Sequence, residues 1–321
     1  MKIPSKVYPY RLPYMGSKQN IAYSIMMAIA QKKPKAKYFF DIFGGGASMS
    51  LMASQFGLKV FYTEKNGGIV NLLNFLKDNK IPKEWIKWID RDEFKKCVGK
   101  EDPYSVFVTV VWSFGNNRQA YLFGKDIEEL KRLAFEVIVN CDYKCLDELK
   151  KQTGLSLKMP TEAKLHDRRL NFHRQIQTAK GFHRGIESLI NMKALTQLEC
   201  CSRLAACERL QQLEYLQQLE YLQQLEYLQQ LEYLNGLDFN NDEVIIYCDP
   251  PYRGTAEYTD NDFNYKEFDD WVRKLKYDVF ISEYNTPFEK IASFGKMSLL
   301  NNSKDKKPLI SENLYFHKSE V

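Results

Sequence analysis

The chain has 321 residues, with 46 Lys and Arg against 41 Asp and Glu, which gives a net charge of +5 at pH 7. Hydrophobic residues make up 44% and charged residues 27%, a composition that excludes a wholly disordered chain and predicts one large or two modest globular domains. The 7 cysteines include no CxxC pair, the longest apolar run is too short to cross a bilayer, and no secretory signal is visible. We therefore expect a cytoplasmic protein with reduced thiols, no metal site and no membrane partner.

The first seventy residues alternate between helix and strand patterns. An apolar, helix-length run covers 21–30, and a short β-rich run covers 37–42 and contains Asp41. A glycine cluster at 44–46 precedes a helical stretch over 47–56, and a second strand over 58–63 is followed by Glu64. This succession of strand, glycine turn, helix, strand and acid predicts an α/β unit.

The α/β pattern returns near the end of the chain. The run EVIIYC at 243–248 is almost continuously apolar, which is typical of a buried parallel strand. Further strands are predicted over 278–282 and 308–316. We expect an open sheet with helices on both faces.

The middle of the chain, 77–194, has few strand patterns and many polar helical ones, so it predicts a mainly helical domain. The segment SFGNNRQAYLFG at 113–124 predicts a loop or hairpin. Lys and Arg outnumber acids over 144–184, a region that we expect to be exposed.

A leucine-rich repeat occupies 195–237, where the hexapeptide LQQLEY occurs four times without change from Leu210 to Tyr233. Its period of three matches neither a helix nor a strand, but Leu, Gln and Glu are strong helix formers, so we expect helix. We interpret the repeat as a spacer or partner surface without a chemical role.

The strand at 243–248 runs directly into Asp249-Pro250-Pro251-Tyr252. The two prolines fix the backbone, so a carboxylate, a carbonyl and an aromatic ring are expected to keep a constant mutual geometry. Two acceptors beside a stacking surface suit a planar group that carries an exocyclic amine, such as adenine. By itself the tetrapeptide would also fit a simple proline turn, but its position at the carboxyl end of a strand favours a ligand site.

The glycine cluster and Glu64 predict a second part of that site. Gly44, Gly45 and Gly46 let a backbone approach a ligand closely, and an acid at the end of the next strand can accept hydrogen bonds from a ribose. A nicotinamide-binding domain has a similar outline, but the GxGxxG pattern is absent because position 49 is not glycine.

Three motifs in the order PYMGSK at 13–18, DIFGGGAS at 41–48 and DPPY at 249–252 resemble the DNA adenine-N6 methyltransferases of the Dam type. In these enzymes a target-recognition domain lies between the cofactor motif and DPPY. The resemblance implies a Rossmann-like methyltransferase sheet built from 1–76 and 238–321, a recognition domain over 77–194 and a spacer over 195–237.

The resemblance also implies roles for individual residues. The catalytic motif would be Asp249, Pro250, Pro251 and Tyr252. The S-adenosylmethionine site would consist of Tyr14, Lys18, Asp41, Phe43, Gly44, Gly46, Glu64 and Asp249. Glu64 departs from the pattern, because many relatives have Asp there, and the repeat upstream of DPPY is a second departure.

The expected reaction is methyl transfer to N6 of adenine in double-stranded DNA. The base would be flipped out, Tyr252 would stack on it, and Asp249 and the Pro250 carbonyl would accept hydrogen bonds from the two N6 hydrogens.

The candidate DNA contacts are Asn116, Asn117, Arg118 and Tyr121, while each also fits an ordinary loop surface. A cognate restriction endonuclease would be a further partner in a restriction-linked enzyme. RNA adenine methylation, an inactive DNA-binding relative and a nicotinamide oxidoreductase are the alternatives, and the target sequence and oligomeric state stay open.

Overall fold

The computed structural model describes residues 1–8, 11–179, 195, 197–211, 214–217, 219–224, 227–253, 263–297 and 309–320, and these form an α/β protein. The chain divides into two compact units. The sheet unit comprises Met1–Arg11, Gly16–Asn74 and Leu213–Val321, and the helical unit comprises Leu12–Met15 and Phe75–Gln212.

One mixed sheet contains all seven strands of the described residues. They are β1 (Tyr38–Asp41), β2 (Lys59–Glu64), β3 (Leu219–Gln224), β4 (Val244–Cys248), β5 (Val279–Glu283), β6 (Glu289–Met297) and β7 (Leu309–His317). Their order is β3-β2-β1-β4-β5-β7-β6; neighbouring strands from β3 to β5 pair in parallel, and β7 is antiparallel to β5 and β6. Asp41 of β1 pairs with Tyr247 of β4, so the carboxyl ends of these two strands lie side by side in the middle of the sheet.

The helices of the described residues are α1 (Ala22–Lys32), α2 (Ser48–Gln55), α3 (Gly67–Asp78), α4 (Arg91–Cys97), α5 (Pro103–Trp112), α6 (Glu128–Phe135), α7 (Tyr143–Thr153), α8 (Leu165–Ala179), α9 (Glu199–Gln211), α10 (Glu214–Gln217), α11 (Gln230–Gly236) and α12 (Tyr265–Arg273). None of them is long and apolar enough to cross a lipid bilayer.

Helices cover both faces of the sheet. Because side chains alternate along a strand, Phe40 and Ile246 point to one face and Asp41 and Tyr247 to the other. The first face packs against α11 and α12 in one buried cluster. On the second face, Ser50 of α2 hydrogen-bonds to Asp41. The strands and helices predicted near 21–64 and 243–283 are therefore confirmed, as is the strand at the end of the chain.

The helix expected for the repeat is wrong at Leu219–Gln224, which forms β3 and pairs with β2. Strong helix formers adopt a strand here because the edge of β2 offers backbone partners, and Leu219 becomes fully buried. A period of three gives a helix no apolar face, so packing adds little to the local helix propensity and does not oppose the strand. Helix α9 belongs to the helical unit and β3 to the sheet unit.

The described residues of the helical unit are helical apart from turns and a hairpin loop. Ser113 and Tyr121 form an isolated antiparallel bridge, and the Phe114 N–H donates to the Ala120 carbonyl at 2.7 Å. This loop confirms the turn expected for SFGNNRQAYLFG. Lys180 and Arg184, which belong to the predicted basic region, lie outside the described residues.

Candidate ligand site at the carboxyl ends of β1 and β4

Close packing between β1 and β2 determines the glycine turn that follows β1. A Cβ atom at Gly44 would lie 2.1 Å from the Cε2 atom of Tyr62, whose side chain is fully buried. The Tyr62 hydroxyl donates to the Gly45 carbonyl at 2.7 Å, and the Gly44 N–H donates to the Thr63 carbonyl at 2.9 Å. Only glycine fits at position 44, and the tyrosine ring holds the turn against the sheet.

The two other turn residues that the sequence singled out lie in the sheet unit as well. Gly46 is buried. Phe43 is partly buried and packs on the α12 side of the sheet, where its ring centroid is 5.8 Å from that of Phe268. Phe43 is therefore part of an apolar cluster next to the turn.

Asp41, the last residue of β1, is buried with an exposed fraction of 1%. Its Oδ2 atom accepts a hydrogen bond from the Ser50 hydroxyl at 2.6 Å, whereas its Oδ1 atom has no partner among the described residues. Burial raises the pKa of Asp41 to about 7; the Ser50 hydrogen bond opposes this shift, and the negative charges of Asp249 and Glu64 add to it. A buried oxygen without a partner, beside other carboxylates, is suited to a cation or a hydrogen-bond donor.

Glu64, the last residue of β2, braces the glycine turn. Its Oε2 atom accepts from the Gly45 N–H at 2.8 Å, and its Oε1 atom accepts from the Asn66 N–H at 3.0 Å. Burial raises its pKa, which these backbone hydrogen bonds partly offset. The carboxylate therefore accepts a hydrogen bond from an N–H group of the glycine turn, so that this N–H group is not available to a ligand.

Lys18 precedes α1 and reaches the residue that follows β4. Its backbone N–H donates to the Ser48 hydroxyl at 3.3 Å, at the start of α2. Its ammonium group lies 2.5 Å from the carboxylate oxygens of Asp249, and the Lys18 side chain is 2% exposed while that of Asp249 is 18% exposed. Burial lowers the pKa of Lys18, but the carboxylates of Asp249 and Glu312 outweigh it and hold the pKa well above its ordinary value.

Tyr252 is buried behind this ion pair. The Lys18 ammonium lies 4.7 Å from the centroid of its ring, its hydroxyl donates to Glu312 Oε1 at 2.6 Å, and the ring of Tyr284 meets it edge-on at 4.5 Å. Burial, followed by the charges of Asp249 and Glu312, raises the pKa of the phenol. With an exposed fraction of 6%, the ring offers no open stacking surface in this arrangement.

The proline pair leads from Asp249 to an anchored Arg253. Pro250 is buried and Pro251 is partly buried. The Arg253 N–H donates to Glu283 Oε1 at 2.6 Å, and its guanidinium contacts Asp269 at 2.7 Å. The segment is thus fixed at one end by Lys18 and at the other by Glu283.

The remaining predicted residues lie in the helical unit. Tyr14 is partly buried, and the structure places it in the segment Leu12–Met15 of that unit rather than with Lys18. Asn117 caps the hairpin loop, since its side-chain oxygen accepts from the N–H groups of Gln119 and Ala120. Asn116 and Arg118 both adopt positive φ angles in this loop, of 59° and 61°.

Tyr121 is held by contacts within the helical unit. Its hydroxyl donates to the Ile89 carbonyl at 2.7 Å, and its ring packs between Phe94 and Phe123. The Arg91 guanidinium lies 4.8 Å from the ring centroid. These contacts explain its partial burial without any ligand.

Sequence reasoning missed the residues that support the site, of which Glu312, Ser50, Tyr62 and Glu283 are the most important. Ser50 follows the glycine turn and Glu283 ends β5, so their positions next to predicted elements could have suggested both. Glu312 could not be recognised from the sequence, because nothing there shows that its carboxylate is buried against the distant Lys18.

No protein-family model matches the chain, and no curated protein matches it. Among the described residues, no group of three or more His, Cys, Asp and Glu side chains is arranged to hold a metal ion. The site itself combines four buried or mostly buried carboxylates, those of Asp41, Glu64, Asp249 and Glu312, with the ammonium of Lys18. Because the carboxyl groups outnumber the ammonium, the site can accept hydrogen bonds or a positive charge from a ligand.

Proposed function

We propose that the protein is a site-specific DNA methyltransferase that transfers a methyl group from S-adenosylmethionine to N6 of adenine. The observation that carries the proposal is the Asp249 carboxylate, held by the buried Lys18 ammonium where β4 ends beside β1. The motifs DIFGGGAS and DPPY, which suggested this family, lie in the sheet unit. Of the third motif, PYMGSK, residues 16–18 lie in the sheet unit and residues 13–15 in the helical unit.

The strand order supports a Rossmann-like methyltransferase sheet. The succession β3-β2-β1-β4-β5 is that of doubly wound sheets, whose ligands lie outside the carboxyl ends of the strands where the order reverses. The reversal falls between β1 and β4, and Asp41 and Asp249 stand at or just beyond the ends of these strands.

The charges support S-adenosylmethionine over a dinucleotide. When bound, this cofactor supplies an activated methyl group on a positively charged sulfonium. Asp41, with its unpartnered buried oxygen, and Glu64 fit the positive and hydroxyl-bearing parts of such a molecule. A dinucleotide pyrophosphate would instead need the N–H groups of the glycine turn, and Glu64 already engages the one on Gly45.

The residues at the end of β4 are suited to orient an exocyclic amine. The Asp249 carboxylate and the Pro250 carbonyl would accept hydrogen bonds from the two N–H groups of the amine, which leaves its lone pair free to form the new N–C bond. The methyl–sulfur bond would break as that bond forms, with S-adenosylhomocysteine as the leaving group, and the surplus N–H proton would pass through the partly exposed Asp249 carboxylate to solvent. Lys18 holds the carboxylate in place. Positioning and acceptors preset for the positive charge that develops on the amine would supply most of the rate. Stacking of Tyr252 on a flipped base requires that the ring first becomes exposed.

The helical unit is the proposed target-recognition domain. Asn116 and Arg118 lie in its hairpin loop beside Phe114, which is 65% exposed. Asn and Arg side chains can read base edges, and an exposed aromatic ring can contact a base.

The test is mass spectrometry of nucleosides after unmethylated duplex DNA is incubated with the protein and S-adenosylmethionine. We expect N6-methyladenine in DNA. A parallel incubation with RNA distinguishes the alternative substrate, since product in RNA alone would refute the DNA assignment. Binding of DNA without binding of S-adenosylmethionine would identify a relative that has lost the reaction.

A further inference from the structure

Glu312 lies on the antiparallel strand β7, outside the motifs that suggested the function. Its side chain is 1% exposed, and its Oε1 atom is shared by two groups of the candidate site. The Lys18 ammonium lies 3.1 Å from this atom, and the Tyr252 hydroxyl donates to it at 2.6 Å. One carboxylate oxygen thus contacts both the cation and the tyrosine that accompany Asp249.

The ammonium of Lys18 is held between two carboxylates. The Asp249 carboxylate is 2.5 Å away and the Glu312 carboxylate is 3.1 Å away, while the Tyr252 ring centroid lies 4.7 Å from it. The three charged groups have a net charge of −1. Because they are buried or nearly so, removing one of them changes the balance felt by the other two much more than it would at the surface.

We propose that Glu312 is a positioning residue of the methyl-transfer site, which restrains the Lys18 ammonium and the Tyr252 ring so that the Asp249 carboxylate keeps its orientation. This inference rests on the proposed function. Glu312 itself has no role in contacting the substrate, and it acts through Lys18 and Tyr252.

Without Glu312, both of its partners, the Lys18 ammonium and the Tyr252 hydroxyl, would lose a contact that fixes their positions. The ammonium, which already lies 2.5 Å from the Asp249 carboxylate, would lose its second carboxylate, so its position relative to Asp249 would be restrained by fewer contacts. The Tyr252 hydroxyl would lose its acceptor, so the ring would no longer be fixed beside Asp249. Both changes affect orientation, which governs the rate more than the binding of substrate.

The first experiment compares Glu312→Gln with the wild type and with Glu289→Gln. The glutamine keeps the shape and one acceptor oxygen of Glu312 but removes the charge. Glu289 lies on the neighbouring strand β6, is 64% exposed and is the matched control. We expect Glu312→Gln to lower kcat by about 10-fold or more while the KM values for S-adenosylmethionine and for DNA stay within about 2-fold of those of the wild type. The reason is that the orientation of Asp249 is lost, whereas the binding of the two substrates is not.

A merely structural Glu312 would change stability or both KM values without this selective loss of kcat, and that result would overturn the proposal. If Glu312→Gln does not fold, Tyr252→Phe takes its place, since it removes the hydroxyl that Glu312 binds. An unchanged kcat in Tyr252→Phe would then overturn the proposal.

A double-mutant cycle in thermal unfolding tests the coupling to Lys18 without using activity. Lys18→Met leaves two carboxylates without their cation and should lower Tm. Adding Glu312→Gln to Lys18→Met should raise Tm again, whereas the same change in the wild type should lower it. Lowering of Tm by the same amount in both backgrounds would show that the two side chains are independent and would overturn the proposal.

The two experiments separate the inference from the function on which it rests. Absence of methyl transfer by the wild type would refute the proposed function, and the catalytic part of the inference with it. The unfolding cycle would still measure the link between Lys18 and Glu312. Coupling in the unfolding cycle with no effect on kcat would refute the inference alone.

Discussion

Lys18 and Asp249 are 231 residues apart in the chain, and their charged groups lie 2.5 Å from each other. Lys18 stands just before α1, and Asp249 directly follows β4 at the centre of the sheet. The ion pair therefore links the beginning of the chain to the DPPY segment. Lysine is almost never fully buried unless it is paired, and the carboxylates of Asp249 and Glu312 provide the pairing for Lys18.

Asp41 should make stability depend on pH. Its pKa rises from 3.8 to about 7 on folding, so the unfolded state binds fewer protons between these values and stability falls as the pH rises through that window. A tenfold change in an acid dissociation constant corresponds to about 1.4 kcal/mol, so we expect the free energy of unfolding of Asp41→Asn, relative to the wild type, to increase by about 2.5 kcal/mol between about pH 5 and about pH 7.5. Urea unfolding of both proteins at these pH values measures it, and a constant difference would contradict the assignment.

Gly44→Ala should destabilise the glycine turn. Its new methyl group would lie 2.1 Å from Tyr62, so the ring has to move and the overpacking should cost about 1–3 kcal/mol. Gly236→Ala is the control, because nothing lies within 4 Å of a Cβ atom at that position. Denaturant unfolding compares the two variants. If Gly44→Ala and Gly236→Ala had the same free energy of unfolding, the glycine turn would accommodate the methyl group without strain, contrary to this prediction.

Tyr121 and Arg118 should separate stability from DNA binding. Tyr121→Phe removes the hydrogen bond to Ile89 and should lower the free energy of unfolding by about 1 kcal/mol without changing DNA affinity. Arg118→Ala should weaken DNA binding and reduce its salt dependence by about one counterion, because one positive charge is lost from the proposed DNA-binding loop. Denaturant unfolding measures the first effect, and fluorescence anisotropy at several salt concentrations measures the second. If Tyr121→Phe weakened DNA binding and Arg118→Ala did not, Tyr121 rather than Arg118 would be the DNA-contacting residue.

The repeat should accept a further copy within β3. Inserting LQQLEY after Tyr221 regenerates the sequence LEYLQQ that forms the strand, so only a connecting segment becomes longer. A longer segment of this kind should cost less than about 1 kcal/mol. A scrambled insert, QLQYEL, at the same place interrupts the strand and should cost more. Equal losses of stability in the two proteins would show that pairing with β2 does not depend on this hexapeptide.

The sequence was most informative where local pattern and burial agree. The apolar run before Asp249 and the glycine cluster after Asp41 predicted two parallel strands and the edge of the sheet at which the candidate site lies. Strands of this kind are recognisable because both faces are buried.

Long-range contacts account for what sequence reasoning missed. Leu219–Gln224 became a strand because of the edge that β2 offers, although the same hexapeptide is partly helical at Glu214–Gln217. Glu312 and the burial of Lys18 depend on partners that are distant in the chain. The buried pose of Tyr252 depends in the same way on Glu312 and Tyr284.

The most direct test of the proposed site is the rate of methyl transfer by Asp249→Ala in a single turnover. The fold should survive, because Lys18 retains Glu312 as a counterion and the two charges balance. We expect the rate of N6-methyladenine formation to fall by at least about 100-fold, the scale on which loss of one preset polar group acts on a developing charge. Circular dichroism and thermal unfolding verify the fold. Substantial methylation of adenine by the folded variant would contradict the role proposed for Asp249 and, with it, the proposed methyl-transfer site.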